Sequence, residues 1–448
     1  MNIITLMTQL RKFKDDSELT SQKVQELSRQ RFSALLEKAY HSSEFYRDLY
    51  SSHGIKPKDL SDVVPADLPI LDKTMVMDNF DSLITDKSIT RRAVEDFITN
   101  DLNPNHRFQQ NTIIHTSGST GVPGIFLYSN EEWNFIVALL TARIDHPMPK
   151  PFCRFRLAFI GATSGHFAGA TLTAGAPKFI YKTKLFSKPE DTQGLIREMN
   201  KFQPDIISGY AGVVYQLALA QLEGRLNIQP KRIQTSGEAL SEQMRRTVDS
   251  AFNLDVVNLY ACSESILLGI QKSAQDPFLL FNDWHHIEVV DENNNVVPEG
   301  TPGSLLITPL YRTLQPLIRY RMSDTMTLKT TDQPFITLDS FAGRETDMLT
   351  FVDDENVDYP VHPMKLVEFF APGLKRFQFE QTAPNALLLR ITVAEGYSDS
   401  KQLAQKKLLD ILKEEGLDSF VSADVEVVES IEMNIKTGKF KLVIPFDD

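Results

Sequence analysis

The sequence predicts an α/β protein with a large N-terminal domain of parallel β-α units plus an antiparallel subdomain, and a small α+β C-terminal domain. Three observations predict this class. Short β-rich runs alternate with helical patterns from Thr112 to Ala261, which is typical of parallel β-α units with helices on the sheet faces. Strand and turn patterns replace this alternation between Ile287 and Thr327. The C-terminal stretch then has a strand, helix and strand pattern of its own.

The first predicted element is an amphipathic helical segment from Glu18 to Tyr50, where apolar residues recur at helical spacing between charges. The Pro-rich run "DVVPADLPILDK" ends it. The β-α alternation follows as "NTIIHT" with "EEWNFIVALLTARI", "RFRLAFIG", "DIISGY" with "AGVVYQLALAQLEG", "RIQTSG" with "LSEQMRRTVDSAF", and "DVVNLYA".

The later elements differ in kind. "IEVVDENNNVVPEGTPGSLLITPL" contains the Asn and Gly residues of hairpin turns, and therefore predicts antiparallel strands. The final pattern consists of "ALLLRITVAEGY", "SDSKQLAQKKLLDILKEEGL" and "SADVEVVESIEM". Since 448 residues exceed the usual size of one domain, we expect at least two domains.

Composition excludes several function classes. The chain has 47 basic and 59 acidic residues and a net charge of −12, which disfavours nucleic acid and anionic lipid as partners. No apolar run reaches the length of a membrane span, and the first residues lack the pattern of a secretory signal. Two cysteines, Cys153 and Cys262, form no disulfide framework and no CxxC zinc motif. We expect a cytoplasmic protein without a membrane partner.

The stretch "HTSGSTGVPG", His115 to Gly124, is rich in hydroxyl and glycine residues. It follows a predicted strand and precedes a predicted helix, where backbone N–H groups and hydroxyls can bind a phosphate. A P-loop would need a lysine at its end, which is missing here. From these residues alone, a phosphate loop and an ordinary surface turn remain equally open.

This stretch resembles the Ser/Thr/Gly-rich loop of the AMP-forming adenylating enzymes, which include acyl-CoA synthetases, peptide adenylation domains and luciferases. Five more motifs follow in that family's order: "TSGEAL" from Thr235, "YACSE" from Tyr260, "IRYRMSD" from Ile318, "GRETDML" from Gly343 and "NIKTGKFKLV" from Asn434. "ALLEKAYHSSEFYRDLY", "DLPILDKTMVMDNFD" and "QPLIRYRMSD" are similar to the branch of phenylacetate-CoA ligases and related capsular polysaccharide cluster proteins.

The resemblance implies an ATP site. Hydroxyl and glycine residues of the loop would surround the β- and γ-phosphates, Tyr260 would stack on adenine, and Asp324 would accept hydrogen bonds from the ribose. The implied nucleotide-binding residues are Thr116, Ser117, Gly118, Ser119, Thr120, Gly121, Gly237, Glu238, Ala239, Tyr260, Ser263, Asp324 and Arg344.

Other roles are implied in the same way. Glu264 would hold Mg²⁺ as a hard oxygen ligand, His166 would lie close to the acid carboxylate, and Lys439 would enter the cleft between the acid and the α-phosphate. The acid pocket would be lined by Tyr210, Ala211 and Gly212. The hinge-like motif "GRETDML" implies the domain bounds 1–343 and 344–448. The implied C-terminal domain is mobile and carries the lysine.

The implied activity joins a small carboxylic acid to ATP and passes the acyl group to coenzyme A. Two departures bear on the second step: Thr346 replaces the usual hinge residue, and "TFVDDENVDYP" replaces a glycine-containing loop. An adenylate-forming enzyme with a carrier protein, an amine or a hydroxyl as acceptor therefore remains an alternative. A degenerate, non-catalytic nucleotide-binding protein is the third.

Three residues in or near these motifs are expected to be structural. His285 and His286 are adjacent on a predicted strand, so they point to opposite faces, and no further ligand spacing supports a metal site. Cys262 lies inside "YACSE", but nothing nearby indicates a lowered pKa.

The lysine segment generates a prediction. Lys439→Ala should slow adenylate formation by on the order of 10²-fold or more, because it removes an ammonium from the reacting phosphate, while ATP binding is retained. With a thiol acceptor, acyl transfer from synthetic acyl-AMP should also survive. Pyrophosphate exchange measures the first step, and Lys436→Ala and Lys441→Ala are matched controls. Equal, mild losses in all three variants would contradict the assignment.

Overall fold

The structure is a computed structural model of the chain. The residues described are 3–13, 19–116, 124–144, 153–187, 192–237, 240, 242–343, 349–353, 357–361, 366, 369, 371–393, 395–431 and 443–446. Packing divides the chain into two units. The first comprises Met1–Val94, Asp101–Ile114 and Phe126–Gly343, and the second comprises Glu95–Asn100, His115–Ile125 and Arg344–Asp448. Because packing does not test independent folding, the domain boundary between 343 and 344 stays a prediction.

Several helices begin at side chains that cap them. The Thr20 hydroxyl accepts a hydrogen bond from the Lys23 N–H, and Ser129 and Glu132 form a capping box. The helices of the described part are α1 (Ile3–Lys12), α2 (Ser21–Ser42), α3 (Glu44–Ser52), α4 (Lys73–Asp78), α5 (Phe80–Leu83), α6 (Arg91–Asn100), α7 (Asn130–Arg143), α8 (Ala168–Ala174), α9 (Thr192–Phe202), α10 (Ala211–Leu222), α11 (Glu242–Phe252) and α12 (Ser400–Glu414), with 3₁₀ turns at Pro57–Asp59 and Pro65–Asp67.

The strands are short and many are fully buried. They are β1 (Thr112–His115), β2 (Ile125–Tyr128), β3 (Phe155–Gly161), β4 (Tyr181–Ser187), β5 (Ile206–Gly209), β6 (Arg232–Thr235), β7 (Val257–Tyr260), β8 (Gly269–Gln271), β9 (Phe278–Leu280), β10 (His285–Val290), β11 (Gly303–Pro309), β12 (Tyr320–Lys329), β13 (Ile336–Gly343), β14 (Leu349–Val352), β15 (Asp358–Val361), β16 (Leu374–Ala383), β17 (Ala386–Val393), β18 (Ser422–Val427) and β19 (Val443–Ile444).

The first unit contains one large mixed sheet. Within the described residues its strand order is β10-β11-β12-β13-β9-β8-β7-β6-β5-β3-β4. The strands from β4 to β7 are parallel, and those from β7 to β10 are antiparallel. The predicted α/β class is confirmed. The antiparallel strands are not a separate sheet, however, because β8 pairs directly with β7 and continues the same hydrogen-bonded ladder.

One local prediction is wrong. The hydroxyl-rich stretch after β1 leads into the strand β2 and not directly into a helix, and α7 begins only at Asn130. All four residues of β2 are buried, and the strand forms a two-stranded sheet with β1. The apolar run "IFLY" therefore forms a strand before the capping box of Ser129 can start the helix.

The second unit has its own core. The sheet order is β18-β17-β16-β19, and buried residues of β16 and β17 pack with α12 residues such as Leu408. The sequence analysis identified β17, α12 and β18 but missed β16 and β19. Phe377 and Phe379 of β16 alternate with polar residues and pack against Phe369, a period-two pattern that predicts a strand.

The helices bear on the expected lack of a membrane span. Among the described residues, no helix combines the length and the apolar character needed to cross a bilayer.

Two tyrosines of α3 generate a stability prediction. The Tyr46 hydroxyl donates to the Pro316 carbonyl at 2.8 Å and accepts from the Ile318 N–H at 3.2 Å, whereas the buried Tyr50 hydroxyl has no partner among the described residues. Tyr46→Phe should lower the free energy of unfolding by about 1–3 kcal/mol, since it leaves a buried N–H unsatisfied. Tyr50→Phe should leave it unchanged or raise it slightly. Urea unfolding of both variants measures this, and equal losses would contradict it.

Candidate active site

The turn after β7 is held by side chains from distant parts of the first unit. Three successive carbonyl oxygens of the turn each accept a hydrogen bond: Ser263 from the Tyr128 hydroxyl at 2.5 Å, Glu264 from Arg312 Nη1 at 2.5 Å, and Ser265 from the Tyr311 hydroxyl. We call these three donors the carbonyl clamp. Because the clamp fixes consecutive peptide groups, it also fixes the direction in which the Glu264 side chain leaves the backbone.

Arg312 is the charged member of the clamp and has no exposed surface. Its Nη2 donates to the Leu127 carbonyl at 2.8 Å and to Gln315 Oε1 at 3.0 Å, and its guanidinium lies 4.2 Å from the centre of the Tyr128 ring. No carboxylate of the described residues lies within ion-pair distance of it. Carbonyl dipoles and an aromatic face therefore stabilise this buried positive charge.

Two acidic side chains lie at this end of β7. Asp324 is 3% exposed and accepts a hydrogen bond from the Tyr260 hydroxyl at 2.7 Å. Glu264 is 6% exposed, and its Oε1 lies 3.5 Å from the Tyr320 hydroxyl. Burial raises the pKa of the Cys262 thiol well above its ordinary value, and the negative charges of Glu264 and Asp324 add to that rise. Both carboxylates therefore act on the same small volume around Cys262.

The donor set fits a magnesium ion that keeps most of its oxygen ligands from phosphate and water. Among the described residues, no group of three or more His, Cys, Asp or Glu side chains could hold a metal by itself. Glu264 offers one carboxylate, and Mg²⁺ is commonly held by one or two carboxylates together with substrate phosphates. A resident, fully protein-coordinated metal does not fit these residues.

The adenine-side segment and the acid-pocket segment meet at Gly237. This glycine has a positive φ of 78°, and a β-carbon on it would lie 3.2 Å from the ring of Tyr210. Tyr210 is the residue before α10, and its ring centre lies 6.4 Å from that of Phe159. Ala211 is completely buried, whereas Gly212 is half-buried. The pocket assignment of these residues stays a prediction.

His166 is buried just before α8. Its Nε2 donates to the Asp101 carbonyl at 2.8 Å, and burial lowers its pKa below the ordinary value. The imidazole is therefore neutral near pH 7 and carries its proton on Nε2. Its role beside the acid carboxylate stays a prediction.

Thr116 belongs to the second unit and pairs with Gly124, the last residue of the hydroxyl-rich stretch. Its N–H donates to the Gly124 carbonyl at 2.8 Å, and its hydroxyl accepts from the Gly124 N–H at 2.8 Å. The hydroxyl proton remains available for another acceptor. The remaining predicted site residues lie outside the described residues: Ser117, Gly118, Ser119, Thr120, Gly121, Glu238, Ala239, Arg344 and Lys439.

The altered segment after the predicted hinge is partly described. Thr346 lies outside the described residues, but β14 and β15 pair antiparallel within the replaced loop. Asp353 accepts a hydrogen bond from the Val357 N–H at 2.9 Å. A short hairpin therefore stands where the resemblance implies a glycine-containing loop.

The two adjacent histidines that are expected to be structural lie in packed surroundings. His285 is fully buried; its Nδ1 donates to the Phe281 carbonyl at 2.8 Å, its Nε2 accepts from the Ser265 hydroxyl at 2.5 Å, and burial lowers its pKa to about 4. His286 packs against the Phe32 ring. Both histidines contribute to the packing of this region, and their structural role stays a prediction.

The clamp residues Tyr128, Tyr311 and Arg312 were missed by the sequence analysis. They lie outside every quoted motif, and their role depends on which carbonyls they reach in the folded chain. Tyr320 lies inside "IRYRMSD", so the motif marked its neighbourhood without indicating its contact with Glu264.

Comparison with known proteins decides the family. The AMP-binding enzyme family matches residues 49–309, a range that includes β7 and Glu264. The chain belongs to this family. The predicted resemblance to AMP-forming enzymes of the phenylacetate-CoA ligase branch is thereby confirmed.

Relatives of this AMP-binding enzyme are distant. Protein CapK of Staphylococcus aureus is 25% identical over 358 residues, covering 72% of this chain and 68% of the relative. Phenylacetate-coenzyme A ligase of Escherichia coli K12 is 25% identical over 346 residues, covering 73% and 72%. A crystal structure of 2-hydroxyisobutyryl-CoA ligase with 2-HIB-AMP and CoA has a TM-score of 0.57 at 19% identity, covering 95% of this chain and 92% of that one. The structural likeness concerns the fold.

The environment of Cys262 generates a prediction. Cys153 is exposed, whereas Cys262 is half-buried and its raised pKa keeps the thiol protonated. Since the thiolate is the reactive form, Cys262 should react with a thiol reagent at pH 8 at least about tenfold more slowly than Cys153. Reaction time courses of the native protein and of Cys153→Ser measure this. A fast second thiol in the native protein would instead indicate an activated cysteine in the site.

Proposed function

We propose that this AMP-binding enzyme activates a small carboxylic acid with ATP as an acyl-adenylate and then passes the acyl group to coenzyme A, in the cytoplasm. Family membership and the names of its phenylacetate-CoA ligase relatives support the proposal. The observation that carries it is the placement of Glu264 and Asp324 at the end of β7. Glu264 is fixed through the clamped turn, and Asp324 accepts a hydrogen bond from Tyr260.

In the first step, an oxygen of the acid attacks the α-phosphorus of ATP. A phosphorus–oxygen bond forms, the bond from the α-phosphorus to the bridging oxygen breaks, and pyrophosphate leaves. Two anions must approach each other, so positioning and charge stabilisation dominate the barrier. Magnesium, when bound, neutralises phosphate charge.

Different residues of this chain would bind the metal, the ribose, the adenine and the phosphates. Glu264 would hold the metal, since the carbonyl clamp fixes its backbone and its buried carboxylate is a hard oxygen ligand. Asp324 would accept hydrogen bonds from the ribose hydroxyls, with its carboxylate oriented by the Tyr260 hydroxyl. The Tyr260 ring, fixed by the same hydrogen bond, would stack on adenine. Thr116 and its loop would surround the terminal phosphates.

In the second step, the sulfur of coenzyme A attacks the acyl carbon. The carbon–sulfur bond forms, the bond to the AMP oxygen breaks, and the thiol proton is released. The hairpin of β14 and β15 lies where the family pattern has a glycine-containing loop. This difference bears on whether coenzyme A is the acceptor. A carrier-protein thiol, an amine or a hydroxyl could use the same acyl-adenylate.

The test is acid-dependent exchange of labelled pyrophosphate into ATP, run over a panel of aryl and aliphatic carboxylic acids. Exchange with at least one acid is expected, followed by thioester formation with coenzyme A. Exchange without a thioester would indicate that the acyl group passes to another acceptor. That acceptor would then be sought among a phosphopantetheinylated carrier protein, amines and alcohols. Nucleotide binding without exchange for any acid would contradict catalysis.

The buried aspartate generates a prediction with a matched control. Asp324→Asn should raise the Kd for ATP by about tenfold or more, because hydrogen bonds to a charged acceptor are worth roughly 1.5–3 kcal/mol. Asp339 lies on the neighbouring strand β13 and is exposed, 3.8 Å from Lys329, so Asp339→Asn should leave the Kd unchanged. Calorimetric titration with ATP measures both. Equal affinities in the two variants would contradict the ribose role of Asp324.

A further inference from the structure

Arg107 has an unusual environment in the segment before β1. The side chain is half-buried, and its guanidinium lies 5.5 Å from the centre of the Trp133 ring. Its Nη1 makes only long contacts, to the carbonyls of Pro104 at 3.5 Å and His106 at 3.3 Å. Within the described part of the chain, neither a carboxylate nor any acceptor for Nη2 is within reach. This arginine therefore presents more donors than the protein satisfies.

A second donor lies beside it. A β-carbon placed on Gly175 would lie 2.8 Å from Arg107 Nη2 and 3.5 Å from Trp133 Nε1, so both nitrogens surround the same small volume. Trp133 is 4% exposed, and its buried Nε1 has no acceptor among the described residues. Gly175 allows Arg107 Nη2 and Trp133 Nε1 to come this close to the backbone, since any side chain at position 175 would fill the space that the two donors face.

A hydroxyl on α8 completes the group. Thr171 has no exposed surface, and its Oγ1 is likewise without a partner among the residues that the structure describes. The Thr171 carbonyl accepts from the Gly175 N–H, and residues four apart lie on one face of a helix. Thr171 and Gly175 therefore share the face of α8 that Arg107 approaches.

Burial of the Trp133 N–H and the Thr171 hydroxyl without acceptors is unfavourable for folding. Burial lowers the pKa of Arg107 below its ordinary value, which agrees with a cation that lacks a counter-charge. The nearest described carboxylate of this segment, Asp101, is engaged with His106 at 2.7 Å. An oxyanion bound here would accept from Arg107 Nη2 and Trp133 Nε1, which face the same volume, with the Thr171 hydroxyl on the adjoining face of α8.

The same two segments also carry His166. Its Nε2 hydrogen bond to Asp101 ties the start of α8 to the chain that leads to Arg107, and Arg107 is close enough to lower the pKa of His166. Thr171 within α8 and Gly175 at its C-terminal cap follow His166, for which an acid-binding role is proposed, along the chain.

We propose that Arg107, Trp133 and Thr171 form a binding site for an oxyanion, chemically a carboxylate. The source that the position favours is a second carboxylate of the acid substrate, at the end remote from the reacting carboxyl group. This assignment of substrate class rests on the proposed function. A free anion such as phosphate shares the chemistry and is the other source.

Direct binding is measured on the indole N–H of Trp133. The chain has two tryptophans, so a ¹⁵N spectrum contains two indole signals, which Trp133→Phe assigns. Titration of the full chain with inorganic phosphate and with glutarate should shift the Trp133 signal. Arg107→Gln should weaken that binding at least about tenfold, Thr171→Val should weaken it less, and Arg107→Lys should retain part of it. Arg154→Gln, which removes an exposed arginine, is the control.

The source is decided by pyrophosphate exchange with pairs of acids of equal length, glutarate against pentanoate and adipate against hexanoate. A preference for the diacids that falls about tenfold or more in Arg107→Gln, with monoacid rates unchanged, identifies the substrate carboxylate. Binding by phosphate without any such preference identifies a free anion.

Two results would overturn the site: no shift of the Trp133 signal with any probe, or equal shifts in wild type and Arg107→Gln. Failure of exchange with every acid would count against the proposed function alone, because the titration does not depend on turnover.

Discussion

The candidate site depends on a buried positive charge. Arg312 has no exposed surface and joins the backbone of Glu264 to the backbone of Leu127. Gln315 adds to the same connection, since its Oε1 accepts from both Leu127 N and Arg312 Nη2. Removal of the guanidinium would leave several buried carbonyls without donors, which is among the costliest defects in a protein interior. The clamp is therefore as much a condition for the fold of this region as for the position of Glu264.

This arrangement explains how two carboxylates can remain close together at the end of β7. Each has a different fixed partner: Asp324 accepts from Tyr260, and Glu264 is positioned through its backbone. Burial raises the pKa of the Cys262 thiol, and the charges of both carboxylates add to that rise. A site with two buried carboxylates suits a ligand that brings its own cation, as a magnesium nucleotide does.

Much of the fold was predictable because it depends on local patterns. The β-α alternation, the hairpin turns and the strand–helix–strand of the second unit all follow from periodicity and turn residues. The motif around Tyr260 and Glu264 could be recognised because its residues are contiguous. The carbonyl clamp could not be recognised in this way. Tyr128, Tyr311 and Arg312 donate to backbone carbonyl groups, and every residue type has such a carbonyl, so the sequence does not mark the acceptors. The strand β2 was missed, and a helix was expected directly after the hydroxyl-rich stretch, because a four-residue apolar run has no distinctive period. Arg107 gave no signal, as its significance lies in the acceptors that it lacks.

Acyl-adenylate formation at the clamped turn after β7 can be measured by mass spectrometry of quenched reactions that contain ATP, magnesium and the acid that gives the fastest exchange. Acyl-AMP and pyrophosphate are expected in equal amounts. Glu264→Gln should form them at least about 10²-fold more slowly, because the charge that holds the metal is lost. Release of ADP and phosphate, or an undiminished rate in Glu264→Gln, would contradict acyl-adenylate formation at this turn.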